Sequence, residues 1–183
     1  MSSNRTILGD IGFNLTLERL ARQLIENYGD FADAALVGIQ PRGTYLARRL
    51  YERLRQLSPK LLFGALDITF FRDDLHQEGI LAPSAMEMNF STEDKRIILV
   101  DDVLYTGRTV GAAIQALQNL GRPTQIELLV MVERRFARHM PFAPDYRGVE
   151  TDAFNDAYVR VRWKEIDGRD EVILYPNKAA SKL

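Results

Sequence analysis

An α/β fold with a central, mostly parallel sheet flanked by helices is what this sequence predicts. Three observations carry the prediction. Short, continuously apolar runs recur at residues 34–39, 97–100 and 126–132, as expected of strands buried on both faces. Between them lie segments with apolar residues at helical spacing. The alternation of the two then places helical crossovers over the faces of a parallel sheet. The chain of 183 residues fits one domain, 1–183, with a disordered-looking tail from about residue 177.

The elements follow in order. Leu17, Leu20, Ala21, Leu24, Ile25 and Tyr28 share one face of a helix expected over about 15–28, with Asn14 or Thr16 as its cap and Gly29 as its end. The run AALVGI, 34–39, is a buried strand that enters the turn Gln40-Pro41-Arg42-Gly43. Leu46, Leu50, Leu54 and Leu57 make the stripe of a second helix, stopped by Ser58-Pro59. Residues 61–71, LLFGALDITFF, alternate as a strand would, with Asp67 and Thr69 on one face. Residues 72–94 form a long connection, and such loops in compact domains are usually functional or mobile.

The apolar strand 97–100 runs into Asp101 and Asp102, then Thr106-Gly107-Arg108-Thr109 opens a helix over about 108–120. Gly121 and Pro123 end that helix, and 126–132 is a further apolar strand. The segment DAYVRVRWKEIDGRDEVILY, 156–175, is a hairpin with Asp167-Gly168 at its turn.

Composition narrows the function classes. A net charge of −1 leaves no global basic field of the kind that marks a nucleic-acid binder. Of 24 basic residues five are lysines, at 60, 95, 164, 178 and 182, and the rest are arginines. Arginine is the better fork for phosphate, although genomic base composition produces the same bias. The absence of cysteine excludes disulfides, thiolate nucleophiles and thiolate metal sites. With no apolar run of membrane-span length and no signal-peptide core, a cytoplasmic location is expected. The terminal Ser181-Lys182-Leu183 matches a peroxisomal address, but three residues are weak evidence and are read as coincidence.

The chemistry concentrates at Asp101 and Asp102. Ligands of open α/β sheets sit at the carboxyl ends of the strands, and a helix N-terminus attracts phosphate. Two adjacent carboxylates can accept hydrogen bonds from vicinal hydroxyls, while Thr106, Gly107 and Thr109 suit a phosphate cradle. Together these describe a pocket for a ribose 5-phosphate. The alternative is a helix cap, for which one carboxylate suffices; two at the end of a buried strand cost desolvation unless something pairs with them.

The stretch ILVDDVLYTGRT, 98–109, closely resembles the phosphoribosyl-pyrophosphate (PRPP) motif of type I phosphoribosyltransferases. LVGIQPRGTYLARRL (36–50), DITFFRDDL (67–75) and LGRP (120–123) resemble the PyrR family, pyrimidine operon regulators that are also uracil phosphoribosyltransferases. The resemblance implies a type I phosphoribosyltransferase-like fold with a flexible loop and a C-terminal β-hairpin or hood region. It implies transfer of ribose phosphate from PRPP to uracil, giving UMP and diphosphate, with Mg²⁺ carried by PRPP and no assigned protein ligand to the metal. It also implies sensing of UMP or UTP, attenuation through leader RNA of a pyrimidine operon, and a homodimer or homotetramer.

By the same resemblance Asp101 and Asp102 hold the ribose 2′- and 3′-hydroxyls, and Leu104, Tyr105, Thr106, Gly107, Arg108 and Thr109 wrap the 5-phosphate. Arg42 and Gly43 match the pyrophosphate loop. Arg72, Asp73 and Asp74 match the start of the flexible loop, with Arg72 as a second, catalytic cation for the leaving diphosphate.

The sequence departs from that family after its last apolar strand. Glu133 stands where the family has Asp, while Arg134 is kept. Arg135, Phe136, Ala137 and Arg138 stand where Gly, His, Arg and Glu are usual, Val149 where Lys is usual, and Asp152 where Pro is usual. Arg134, Arg135, Arg138 and Arg147 are candidates for base or RNA contacts. Arg160 and Arg162 form either a basic stripe for RNA or the solvent face of an edge hairpin, and Phe136, Met140 and Phe142 belong either to an interface or to the core. Two other readings stay open: a phosphoribosyltransferase for another nucleobase without an RNA role, and an RNA-binding regulator with little enzyme activity.

Overall fold

The computed structural model describes residues 4–71, 86–136, 138–153 and 157–181. Its elements are β1 (Arg5–Leu8), α1 (Asp10–Tyr28), β2 (Ala34–Ile39), α2 (Gly43–Leu54), β3 (Leu62–Leu66), β4 (Arg96–Leu104), α3 (Arg108–Gln118), β5 (Gln125–Arg134), β6 (Tyr146–Thr151), β7 (Tyr158–Arg162), α4 (Lys164–Asp167) and β8 (Glu171–Tyr175). The main sheet has the order β3-β2-β4-β5-β6, and every neighbouring pair in it is parallel. A second, antiparallel sheet has the order β1-β8-β7.

Alternate residues of the main strands feed two cores. Leu36, Ile98, Val100, Leu129 and Met131 pack with Leu17 and Leu20 of α1, Leu46 and Leu50 of α2, and Trp163. Val37, Ile97, Leu99, Leu128 and Val130 pack with Val110, Ala113 and Leu117 of α3. Because both faces are covered, the central strands carry no polar face, which is why they read as unbroken apolar runs.

Several boundaries differ from the sequence expectation. Helix α1 starts at Asp10, capped by Gly9 in an extended conformation. Asn14 and Thr16 therefore lie inside it, and each bonds back four residues, to the carbonyls of Asp10 and Gly12. Helix α2 ends at Leu54, so Leu57 falls outside the stripe and is 70% exposed. Strand β3 stops at Leu66, because the Asp67 carboxylate accepts the N–H (2.8 Å) and hydroxyl (2.6 Å) of Thr69. That turn bends the chain into a 3-10 turn, Thr69–Phe71.

Strand β6 was not expected. It is the half-exposed edge of the main sheet and its residues include Arg147, Gly148 and Glu150, so it lacks an apolar run. The hairpin of β7 and β8 is present, with Val161 opposite Val172. Its connection is longer than a two-residue turn: α4 makes one helical turn and ends at Gly168, whose φ of 78° suits glycine. The chain beyond residue 177 also makes contacts, through a 3-10 turn at Ala179–Ser181 whose Ser181 carbonyl accepts from Arg160.

Candidate functional site

The carboxyl ends of β2 and β4 lie side by side, since the two strands pair in register from Ala34–Arg96 to Gly38–Val100. This brings the turn 40–43 against Asp101. The contact is between backbones: a methyl group added at Gly43 would sit 2.4 Å from the Val100 carbonyl oxygen and 2.9 Å from the Asp101 Cα. Only glycine fits there.

Strand β4 continues beyond the apolar run, because Asp101, Val103 and Leu104 still pair with Val130, Val132 and Glu133 of β5. The two acids therefore belong to the strand, not to a loop after it. Asp101 is buried, and its Oδ1 accepts the Asp102 N–H at 2.9 Å. Burial, with the neighbouring charge of Asp102 adding to it, pushes the Asp101 pKa well above the usual carboxylate range. Burial also raises Asp102, against the pull of Arg42. Adjacent acids whose pKa values are both raised by burial mark a candidate functional site.

Immediately after them Tyr105, Thr106 and Gly107 turn the chain into α3. Gly107, with φ of 90°, caps the helix. The loop is braced from outside by the segment after β5. The Thr106 carbonyl accepts the N–H groups of His139 (2.9 Å) and Met140 (3.0 Å), and Arg138 Nη1 donates to the Tyr105 carbonyl at 2.5 Å. Met140 and Phe142 close over Gly107, within 3.1 Å of where a Cβ would stand. The first turn of α3 presents Arg108, Thr109 and Val110 beside this loop. Leu104, grouped with the phosphate wrap from the sequence, is the last strand residue and its side chain is buried in the α3 core, so only its backbone borders the loop.

Arg42 reaches across the site. Its Nε donates to Asp102 Oδ2 at 3.1 Å, and its Nη2 donates to Asp167 Oδ2 at 3.2 Å and to the Val161 carbonyl. Asp167, read in the sequence only as a turn residue, is thus a member of the cluster. Arg72, Asp73 and Asp74 lie outside the described residues.

The remaining candidate arginines are committed to partners within the chain. Arg134 is buried, lies 3.8 Å from the centre of the Tyr105 ring and donates to the Ala157 carbonyl. Arg138 bonds Glu133, Arg147 bonds Glu133 and Glu150, and Arg135 bonds Glu150 and Asp152. Arg160 pairs with Asp167, and Arg162 with Glu171 and the Tyr175 hydroxyl, so neither a bare stripe nor an idle solvent face describes them. Of the acids of this ladder, Glu133 and Asp152 stand out in the sequence as departures from the family pattern and Glu150 does not, and their pairing depends on β6, which has no apolar run to announce it. Of the three apolar residues left open, Phe142 packs against the α3 core, while Phe136 and Met140 are exposed.

Residues 12–166 match the phosphoribosyl transferase domain model. A bifunctional protein PyrR of Elusimicrobium minutum (strain Pei191) is 43% identical over 165 residues, 88% of this chain and 90% of that protein. Another, of Halalkalibacterium halodurans, is 41% identical over 93% of this chain and 97% of that protein. Among solved structures, a hypoxanthine phosphoribosyltransferase of Staphylococcus aureus shares the fold with a TM-score of 0.69, 18% identity and coverage of 92% of this chain and 90% of that one. One of Trypanosoma cruzi does so with a TM-score of 0.70, 16% identity and coverage of 97% and 94%. The acid pair at the end of β4, the glycine-capped helix behind it and the match along nearly the whole chain lead to one conclusion: this chain belongs to the phosphoribosyltransferase family and, within it, to the PyrR proteins.

Proposed function

We propose that the protein transfers the 5-phosphoribosyl group of PRPP to uracil, giving UMP and diphosphate, and that it also senses pyrimidine nucleotides to regulate a pyrimidine operon through its leader RNA. The observation that carries the first half is the Asp101–Asp102 pair at the end of β4, Asp101 buried and Asp102 partly so, one short loop from the Gly107-capped start of α3. Asp101 and Asp102 accept from the ribose 2′- and 3′-hydroxyls. The backbone from Tyr105 to Thr109, with the Thr106 and Thr109 hydroxyls, receives the 5-phosphate at the positive end of α3. The nucleobase displaces diphosphate from the ribose C1, and charge grows on the departing group as that bond breaks. Arg42, with Gly43 beside it, faces that charge electrostatically, and Arg72 is the second cation. No side-chain nucleophile is required, in keeping with a chain without cysteine.

Among the described residues no cluster of three acids or histidines could hold a metal ion. The hard carboxylate oxygens of Asp101 and Asp102 suit a Mg²⁺ that arrives on PRPP. Bound, the ion would offset the negative charge of the leaving diphosphate. The deciding experiment is diphosphate release from PRPP and Mg²⁺ with each nucleobase in turn. Turnover with uracil is expected. Turnover with purines alone, or with no base, overturns the assignment.

The regulatory half is supported by the likeness to bifunctional PyrR proteins. RNA would meet the partly exposed arginines at 135, 138 and 147, while the buried Arg134 would act only through the Tyr105 loop it supports, and UMP or UTP would occupy the PRPP site. Its test is RNA affinity with and without UMP over a range of salt; indifference to both overturns it.

A further inference from the structure

We propose that Asp167, in the α4 turn of the smaller sheet, is a positioning residue for Arg42, holding its guanidinium at the acid pair in advance of an incoming diphosphate. The inference rests on the reading of this site as a PRPP site. Arg42 stands in a turn and is partly exposed, so its long side chain needs an anchor to occupy one place. Asp102 is the poorer anchor, because a ribose hydroxyl arriving at the acid pair competes with Arg42 for its carboxylate. Asp167 is the better one. Its Oδ2 accepts from Arg42 and from the Trp163 N–H (3.0 Å), its Oδ1 accepts from Arg160 (2.8 Å), and its own N–H bonds the Trp163 carbonyl at 2.7 Å. Trp163 is fully buried and meets the Phe13 ring edge-on at 5.2 Å, so the carboxylate is fixed to the core.

The consequence for binding is specific. When ribose takes Asp102, the Nε of Arg42 is released while Asp167 and the Val161 carbonyl still hold its Nη2. The Nε and Nη1 donors, which Asp167 does not hold, are then left for the diphosphate without a new search by the side chain, which lowers the entropic cost of binding. Without the Asp167 charge, the remaining acid partner of Arg42 among the described residues is Asp102, the group that the ribose needs. Loss of Asp167 should therefore weaken PRPP binding more than it slows turnover.

The test is PRPP binding by calorimetry with Mg²⁺, beside steady-state kinetics, on Asp167→Asn. Asparagine keeps an acceptor for the Trp163 N–H and removes the charge, at the cost of the acceptor that faces Arg160, which the Arg42→Gln background controls for. The expected result is about a tenfold rise in both Kd and KM for PRPP, with kcat at saturating PRPP and KM for uracil changed less than about twofold. Asp167→Glu should lose less, and in an Arg42→Gln background neither substitution should weaken PRPP further. Unchanged PRPP affinity in folded Asp167→Asn overturns the proposal, as does an equal loss when Arg42 is already gone. If Asp167→Asn does not fold, the cycle between Asp167→Glu and Arg42→Gln decides by the same criterion. Failure of the unsubstituted protein to bind PRPP would overturn the proposed function, and this inference with it.

Discussion

The Arg134 guanidinium lies 3.8 Å from the centre of the Tyr105 ring, joining the end of β5 to the loop that follows β4. Arg134 is buried, and burial lowers its pKa. Its Nε has no hydrogen-bond partner among the described residues. A desolvated guanidinium with one donor unused depends on the ring face beneath it, and such contacts are worth about 2 kcal/mol. Tyr105→Leu is expected to cost about 1–2 kcal/mol of stability, read from denaturant unfolding, and to weaken UMP binding through the loosened loop. Tyr105→Phe keeps the ring face and should lose much less.

Asp101→Asn should separate stability from activity. The raised pKa of Asp101 comes first from burial and then from Asp102. A carboxyl group whose folded pKa lies above its unfolded value supports the fold fully below the unfolded value, about 3.9, and loses that support as pH rises through the folded value. At neutral pH the charge therefore destabilises the fold. The asparagine variant, which retains the Oδ1 acceptor for the Asp102 N–H, should be more stable than the parent at pH 7 by about 1 kcal/mol or more, with the difference shrinking toward pH 4. Its phosphoribosyl transfer should fall at least tenfold. Thermal melts across pH beside the diphosphate assay check both halves.

Acid should loosen the smaller sheet first. Arg49 on α2 bonds both Glu165 within α4 (2.7 Å) and Asp170 just after it (2.8 Å). Burial works against the charge on Asp170, but Arg49 and the Lys164 N–H outweigh it and hold its pKa low; Arg49 likewise lowers Glu165. A depressed carboxylate contributes stability above its unfolded pKa, about 4, and loses it as pH falls through the folded value. Hydrogen exchange should therefore show β7 and β8 losing protection below pH 4, before β4 and β5. Asp170→Asn should bring the same loss of protection to pH 7.

Freed arginines should create a stronger polyanion surface. Glu150 and Asp152 hold Arg135, and Glu150 shares Arg147 with Glu133. The double variant Glu150→Gln, Asp152→Asn should bind RNA more tightly at low salt. Its affinity should fall more steeply with salt, by about 0.7 in log–log slope for each additional phosphate neutralised on a single strand. Binding isotherms at several salt concentrations measure this directly. Unchanged slopes would mean that RNA does not use these arginines.

Much of the scaffold was legible in the sequence because of where its strands lie. β2, β4 and β5 are covered on both faces, so burial demanded apolar residues throughout. β6 escaped because an edge strand can carry Arg147 and Glu150, and the ion ladder it completes escaped with it. The start of α1 is hidden in the sequence because Ile11 and Leu15 point outward, which breaks the apolar stripe over its first turns. Asp101, Asp102 and the Gly107 loop were readable from local order alone. The Arg42–Asp167 contact was not: the two residues are 125 positions apart, and no local pattern reports a meeting of that kind.

Gly43 has a mechanical consequence. Its backbone touches the Val100 carbonyl and the Asp101 Cα with no side chain between them. A packed side chain can rotate and absorb a shift, but a backbone–backbone contact cannot. The turn at 40–43 and the acids of β4 are therefore two jaws cast in one piece. The span between the groups that meet the diphosphate and those that meet the ribose is set by the sheet itself, so a ligand must match that gauge.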